Sequence, residues 1–221
     1  MVVIATKIYV EGQAQTRAMQ SLESIVNNLF TDLDVDVDIG LRHDSFPSVT
    51  VSGPDEVVAR NLFRDEFGEI PSQLEEGNTY IGTLEEWSDT SITLDAGTNV
   101  EIPADRLGLG PGKPSQLRER FGLVQHLPME FEYGSPSSLT DAERDRLYEW
   151  QRGNGRVNVN SVTRSEARAT VNRAGHANDI ITVERLGLLE QSIICTEDTD
   201  PPGLIAAIGE YLPAELRAVV P

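Results

Sequence analysis

Residues 150–164 read WQRGNGRVNVNSVTR, and within fifteen positions they carry a helix end, a turn, a strand and the start of a second helix. Gly153 and Gly155 interrupt the first helix. Val157 and Val159 then alternate with Asn158 and Asn160, which predicts a strand with one apolar and one polar face. Thr163 stands three residues before Glu166, a capping box that opens a helix running toward Gly175. Further on, residues 180–189 (IITVERLGLL) and 192–196 (SIICT) predict two more strands. A double proline starts a helix over 201–212, and 215–220 (ELRAVV) suits a closing strand. The order is strand, helix, strand, strand, helix, strand. It predicts a ferredoxin-like βαββαβ domain, reached through a connecting helix that Thr140 and Glu143 cap.

Toward the N-terminus the order begins in the same way. Residues 7–10 (KIYV) suit a strand. Met19, Leu22, Ile25, Val26, Leu29 and Phe30 then recur at helical spacing and form one apolar stripe. Val35, Val37, Ile39 and Leu41 alternate with polar residues, as do Val49 and Val51, so two strands follow. A second helix is expected from Ser52 as cap and Pro54 in the first turn to Gly68 as stop. From residue 79 the texture changes to three short strands, with turns at residues 87–89 and 95–97, the habit of a small antiparallel barrel. The fragment resembles S1, OB and PRC-type barrels. A helix over PSQLRERFGL and a strand over MEFEY complete this part, and GSPSS at 134–138 is the clearest linker. The expected fold class is therefore α+β. It comprises an N-terminal ferredoxin-like α/β unit (1–76), a central small β-barrel with an attached helix (77–135), and a connecting helix with the ferredoxin-like βαββαβ domain (139–221).

The 221 residues carry a formal net charge of -18, and the basic residues are arginines except for Lys7 and Lys113. Dense carboxylates with lysine nearly removed suit a salt-loaded cytoplasm such as a halophilic archaeon's, where a Debye length of about 3 Å at molar salt mutes repulsion. No stretch approaches the ~20 apolar residues of a membrane span, and the first residues lack the charged leader of a signal sequence. A soluble cytoplasmic protein with no membrane partner is expected. The lone Cys195 sits in an apolar run, which predicts a buried, unreactive thiol.

The charge deficit is uneven. Residues 1–110 carry 6 basic and 20 acidic side chains, 111–190 carry 11 of each, and 191–221 carry 1 and 5. Between Arg144 and Arg173 seven arginines face three acids. Arginine's planar fork binds phosphate through paired hydrogen bonds and stacks on bases. Arg164 and Arg168 share a helix face near its N-terminus, where free N–H groups also favour anions. Asn158 and Asn160 add neutral donors and Trp150 a stacking surface, so Trp150, Arg152, Arg156, Asn158, Asn160, Arg164, Arg168 and Arg173 form the expected nucleic-acid-binding set.

Catalytic patterns are sparse. His43, His126 and His176 stand apart in sequence, and no CxxC or HxxxH spacing anchors a metal. GLGPGKPS at 108–115 departs from a phosphate loop, because Pro114 stands where the hydroxyl belongs. No metal site, cofactor or catalytic constellation is expected. DTDPPGLIAAIGEYL, from Asp198, resembles the strand-to-helix loop of ACT regulatory domains. That resemblance implies an alternative ligand site at Asp198, Asp200, Pro202 and Gly203.

The runs RFGLVQHLP (120–128) and GHANDIITVERLGLLEQSIICTEDTDPPGLIAAIG (175–209) resemble an archaeal family of uncharacterised conserved proteins. The likeness spans most of the chain and implies no catalytic residues. The leading expectation is a non-enzymatic RNA-binding or ribosome-associated factor. The alternative is a small-molecule-sensing (ACT-like) or protein-interaction module, with a protein partner and no nucleic acid.

Overall fold

The computed structural model describes residues 1–221. Its first unit comprises β1 (Val2–Val3), α1 (Gly12–Leu29), β2 (Asp36–Leu41), β3 (Pro47–Ser52) and α2 (Glu56–Phe67). The strands form an antiparallel sheet in the order β1-β3-β2, and an isolated bridge from Ile4 to Glu69 extends it beyond β1. Leu22 and Val26 of the predicted α1 stripe, with Ala18 beside them, are buried against Val49 and Val51 of β3 and Phe63 of α2. Two local expectations shift. The first strand is Val2–Val3, because those residues pair with β3, and Lys7 to Val10 run outside any strand. Helix α2 starts after Asp55 rather than after Ser52, since Ser52 is held in the sheet opposite Asp36.

The second unit comprises β4 (Thr79–Trp87), β5 (Ser91–Asp95), β6 (Asn99–Pro103), α3 (Ala104–Leu107), α4 (Pro114–Phe121), β7 (Pro128–Glu132), β8 (Ser138–Leu139) and α5 (Asp141–Arg152). Its five strands form one antiparallel sheet in the order β6-β5-β4-β7-β8, which curls into a half-barrel until the edge strands β6 and β8 touch. Leu84, Leu94, Ile102, Phe121 and Phe131 fill its interior. Residues 134–138 are not a linker: they make the turn into β8, where Leu139 pairs with Phe131 and Ser138 with Glu132. Helix α5, expected to head the C-terminal part, packs on the half-barrel instead. Leu147 and Trp150 are buried in that core, because an amphipathic helix of this length must cover its apolar stripe.

The third unit comprises β9 (Arg156–Val159), α6 (Arg164–Arg173), β10 (Ile180–Arg185), β11 (Gln191–Cys195), α7 (Pro201–Ile208) and β12 (Leu216–Val219). Its antiparallel sheet has the order β10-β11-β9-β12. Val157 and Val159 turn toward α6 and α7 and share a core with Ala167, Val171, Leu204 and Ile208. Each large aliphatic side chain buried in this way contributes roughly 1.5–3 kcal/mol. Asn158 projects from the opposite face onto the half-barrel. Cys195 is buried, and desolvation pushes its thiol up to about 11. No helix is long and apolar enough to cross a membrane.

The packing of α5 sets a stability expectation. Trp150→Ala should lower the free energy of urea unfolding by about 3–5 kcal/mol, as an emptied aromatic site in a core does. Arg152→Gln, on the exposed side of the same helix, should stay within about 0.5 kcal/mol. A Trp150→Ala loss as small as that of Arg152→Gln contradicts the burial of the indole.

Candidate functional site

The largest cleft, of about 630 Å³, lies between α1 of the first unit and the start of α6 in the third. Its lining is polar. Arg17, Gln20, Ser21 and Ser24 come from α1, Thr163, Arg164, Ser165 and Arg168 from the α6 end, and Arg185 from β10. The capping box holds the α6 end in shape: Thr163 Oγ1 accepts the Glu166 N–H, and Glu166 Oε2 accepts the Thr163 N–H at 2.9 Å. Arg17 reaches across the cleft to pair with Glu166. Burial pushes the Glu166 carboxyl up, but the Thr163 contacts and Arg17 together outweigh it and hold the group below the usual carboxylate range.

The other arginines differ in what binds them. Arg185 pairs with Glu66 and lies over the Phe67 ring at 5.3 Å, and desolvation lowers its pKa. Arg164 donates from Nε to the Val183 carbonyl at 2.6 Å, so its position is set while its charge stays uncompensated. Arg168, one turn further along the helix, is exposed and has no carboxylate within ion-pair distance. The cleft thus presents two unneutralised guanidiniums beside serine and threonine hydroxyls, an arrangement suited to holding an anion.

The remaining members of the expected binding set lie elsewhere. Trp150 is only 5% exposed, with the guanidiniums of Arg146 and Arg156 over its ring at 5.1 and 5.2 Å, so it stacks within the protein and offers no face to a base. Arg156 is buried; desolvation lowers its pKa, and its nearest carboxylate, Glu184, is 3.8 Å away. Asn158 is wholly buried, donating to the Gly122 carbonyl at 2.9 Å and accepting from Ser192 Oγ at 2.7 Å. Asn160, also buried, donates to the Gln125 carbonyl at 3.1 Å and accepts the Glu215 N–H at 2.9 Å. These residues join the third unit to the half-barrel. Arg152 is exposed at the end of α5 near Tyr148, and Arg173 is exposed at the far end of α6. Of the set only Arg164 and Arg168 line the cleft, which adds Arg17 and Arg185, hidden by sequence separation.

At the alternative loop, Asp200 accepts the Gly203 N–H at 2.9 Å and so caps α7. Asp198 and Gly203 line a shallow hollow of about 340 Å³ with His176, whose Nδ1 meets Asp179 at 2.6 Å. Pro202 is exposed in the first turn of α7.

A buried polar junction, built from residues far apart in sequence, lies where the three units meet. Lys7 sits between Glu85 and Asp95 at 2.8 and 2.7 Å. Burial lowers the Lys7 pKa, but bonds to Asp95 and Glu85 outweigh it and the pKa is raised. At Glu85 burial works upward, and hydrogen bonds from His126, Lys7 and Thr83 outweigh it to hold the carboxyl at about 2. Tyr9 stacks on His126 with ring centroids 3.7 Å apart and donates its hydroxyl to Glu190 at 2.7 Å. Lys7 was the available clue, a lysine retained in a chain that has almost none.

Family models match three consecutive stretches of the chain. The DUF2110 N-terminal domain covers residues 1–73, the DUF2110 central domain 74–151 and the DUF2110 C-terminal domain 154–220. No curated protein matches the chain. The central match ends at residue 151, so it includes nearly all of α5, the helix that packs on the half-barrel.

The buried asparagine yields a prediction that separates a structural from a binding role. Asn158→Ala leaves the Gly122 carbonyl without its side-chain donor and the Ser192 hydroxyl without its acceptor, and should cost about 1–3 kcal/mol in thermal or urea unfolding. RNA affinity of the folded protein should stay unchanged. Weakened binding with unaltered stability would return Asn158 to the ligand surface.

Proposed function

We infer that this chain, which belongs to the DUF2110 family, is a non-enzymatic RNA-binding or ribosome-associated factor whose cleft between α1 and α6 receives backbone phosphates. The observation that carries this reading is Arg168: an exposed guanidinium without a carboxylate partner, in a cleft of a protein with net charge -18. Acidic side chains outnumber basic ones two to one, so an arginine left unpaired beside a second one favours an anionic ligand over chance placement. The hydroxyls of Ser21, Ser24 and Ser165 add neutral donors. Such contacts retain their value at high salt, where counterion release adds little to affinity.

Fold gives secondary support. The β1-β3-β2 order with Glu69 beyond β1, and the β10-β11-β9-β12 order of the third unit, favour reading both outer units as ferredoxin-like. Small sheet domains in tandem with a curled β-sheet recur among RNA-handling proteins, an argument by analogy.

Fluorescence anisotropy with a labelled single-stranded RNA tests the reading. Arg164→Gln with Arg168→Gln should weaken binding at least tenfold and lower the slope of log affinity against log salt by roughly 0.7 per lost phosphate contact. The unfolding midpoint should hold. Arg173→Gln, at the other end of α6, serves as the control that leaves affinity in place. Equal affinity in wild type and the double variant removes the cleft from RNA binding. A thermal shift with a metabolite and no RNA affinity would favour the sensing alternative at the Asp198 loop.

A further inference from the structure

The floor of the cleft is tied to the first unit by two hydrogen bonds that cross between units. The Ser161 N–H donates to the Tyr9 hydroxyl at 2.9 Å, and the Leu188 N–H donates to Thr6 Oγ1 at 3.0 Å. Both anchors adjoin the lining: Leu188 is part of it, and Ser161 lies two residues before Thr163. The Tyr9 hydroxyl in turn donates a hydrogen bond to Glu190 Oε1, so one phenol bridges the segments before α6 and before β11.

Glu190 is 0% exposed, and its second oxygen, Oε2, has no hydrogen-bond partner. A Cβ on Gly187 would collide with that oxygen, so the neighbouring loop closes tightly over it. The charged groups around it are already engaged. Lys7 is held by Glu85 and Asp95, and His126 meets Glu85 and stacks on Tyr9. Arg185 is paired with Glu66, and Arg146 with Glu143 and the Pro128 carbonyl. No cation is in contact with the Glu190 carboxyl. Burial without a counterion disfavours a charge there and the nearby Glu85 carboxylate adds to this; together they outweigh the Tyr9 hydroxyl and the Leu189 and Glu190 backbone N–H groups, which favour the charge.

We propose that the Tyr9–Glu190 contact is a proton-controlled latch, closed when Glu190 is neutral, that docks the first unit on the third and so fixes the two walls of the cleft. As regulation of RNA binding it rests on the function proposed above; as a docking device it stands on the junction alone. Burial pushes the Glu190 carboxyl up from 4.5 to about 8. In the released state the group returns toward its ordinary value, so between these limits the latched state holds a proton that the released state lacks. Latching is therefore strongest below pH 4.5, weakens about tenfold per pH unit up to pH 8, and is constant above.

Hydrogen exchange of the full chain tests this without any RNA. The Ser161 and Leu188 amides report docking directly, because each donates to a side chain of the first unit. After correction for the intrinsic rise of exchange with pH, their protection should fall on the order of a hundredfold from pH 6 to pH 8. Glu190→Gln keeps the shape and an acceptor for Tyr9 and has no proton to lose, so its protection should be flat. If that variant does not fold, infrared spectroscopy of the wild type decides. A buried protonated carboxyl band present at pH 6 and lost above pH 9 supports the latch, and its absence at pH 6 overturns it. Flat protection in the wild type, or an equal fall in Glu190→Gln, also overturns it. RNA affinity measured in parallel keeps the two proposals apart: pH-dependent exchange without RNA binding removes the RNA reading alone, and RNA binding with flat exchange removes the latch alone.

Discussion

Asn158 holds the third unit to the half-barrel, and the placing of every other element on that side follows from it. A strand whose outward residues are Arg156 and Asn158 would ordinarily face water, yet Asn158 has no exposed surface. Its carboxamide satisfies the Gly122 carbonyl, just past the end of α4, and the Ser192 hydroxyl on β11. Asn160 repeats the pattern two residues on, and Glu215 completes it by accepting the Gln125 N–H at 2.9 Å and pairing with Arg118 and Arg217. An apolar interface would tolerate small rotations of one unit on the other. A row of directional bonds, each costly to leave unmade, tolerates one registration. Gly122 shows how close the contact is, since a Cβ there would lie 2.5 Å from Val219.

The first unit is attached differently. Few bonds carry it: Thr6 to Leu188, Lys7 to Glu85 and Asp95, Tyr9 to Ser161 and Glu190. These polar contacts come from residues 6–9, the segment between the first strand and α1; beside them Arg185 pairs with Glu66 of α2, and Leu188 and Leu189 of the third unit are buried in the first unit's core. Surface pairs such as Arg17 with Glu166 add little, as exposed ion pairs generally do. The cleft thus has one wall fixed by the asparagine row and one wall, α1, whose unit is held by the polar segment 6–9, the Arg185–Glu66 pair and the burial of Leu188 and Leu189. Charge distribution follows the same division. The cleft arginines without a carboxylate partner, Arg164 and Arg168, belong to the fixed wall.

Much of this was legible in the sequence, and the failures share a cause. Hydrophobic period placed the helices and most strands, and Thr140 and Thr163 marked helix starts that the structure keeps. The first strand was misplaced because residues 2–4 and 7–10 are equally strand-like, and pairing with β3 decides between them. Glycine, serine and proline at 134–138 suit a hairpin turn as well as a linker, and only the pairing of Leu139 with Phe131 separates the two. The alternation of residues 157–160 set Val157 and Val159 against Asn158 and Asn160, as the structure does. Period two says which residues share a face but not what covers it. The helical spacing of Arg164 and Arg168 was readable for the same reason, whereas Arg17 and Arg185 reach the cleft through tertiary contacts alone.

Lys7 shows what the junction requires. In a chain where sixteen of eighteen basic residues are arginine, this position keeps the compact ammonium, which sits between two carboxylates with three donors pointing in different directions. Arginine's planar fork matches one carboxylate in two bonds and is poorly shaped to lie between two. Lys7 also lies 4.9 Å from the Phe46 ring, so its surroundings are apolar on one side. The fixed charges of the junction are therefore matched by fixed counter-charges: Lys7 by Glu85 and Asp95, Arg185 by Glu66, Arg146 by Glu143. Glu190 is a carboxyl left outside this pairing, next to the segment 6–9 and under the cleft. Its proton is thus the one charge at the junction that can change without first breaking an ion pair.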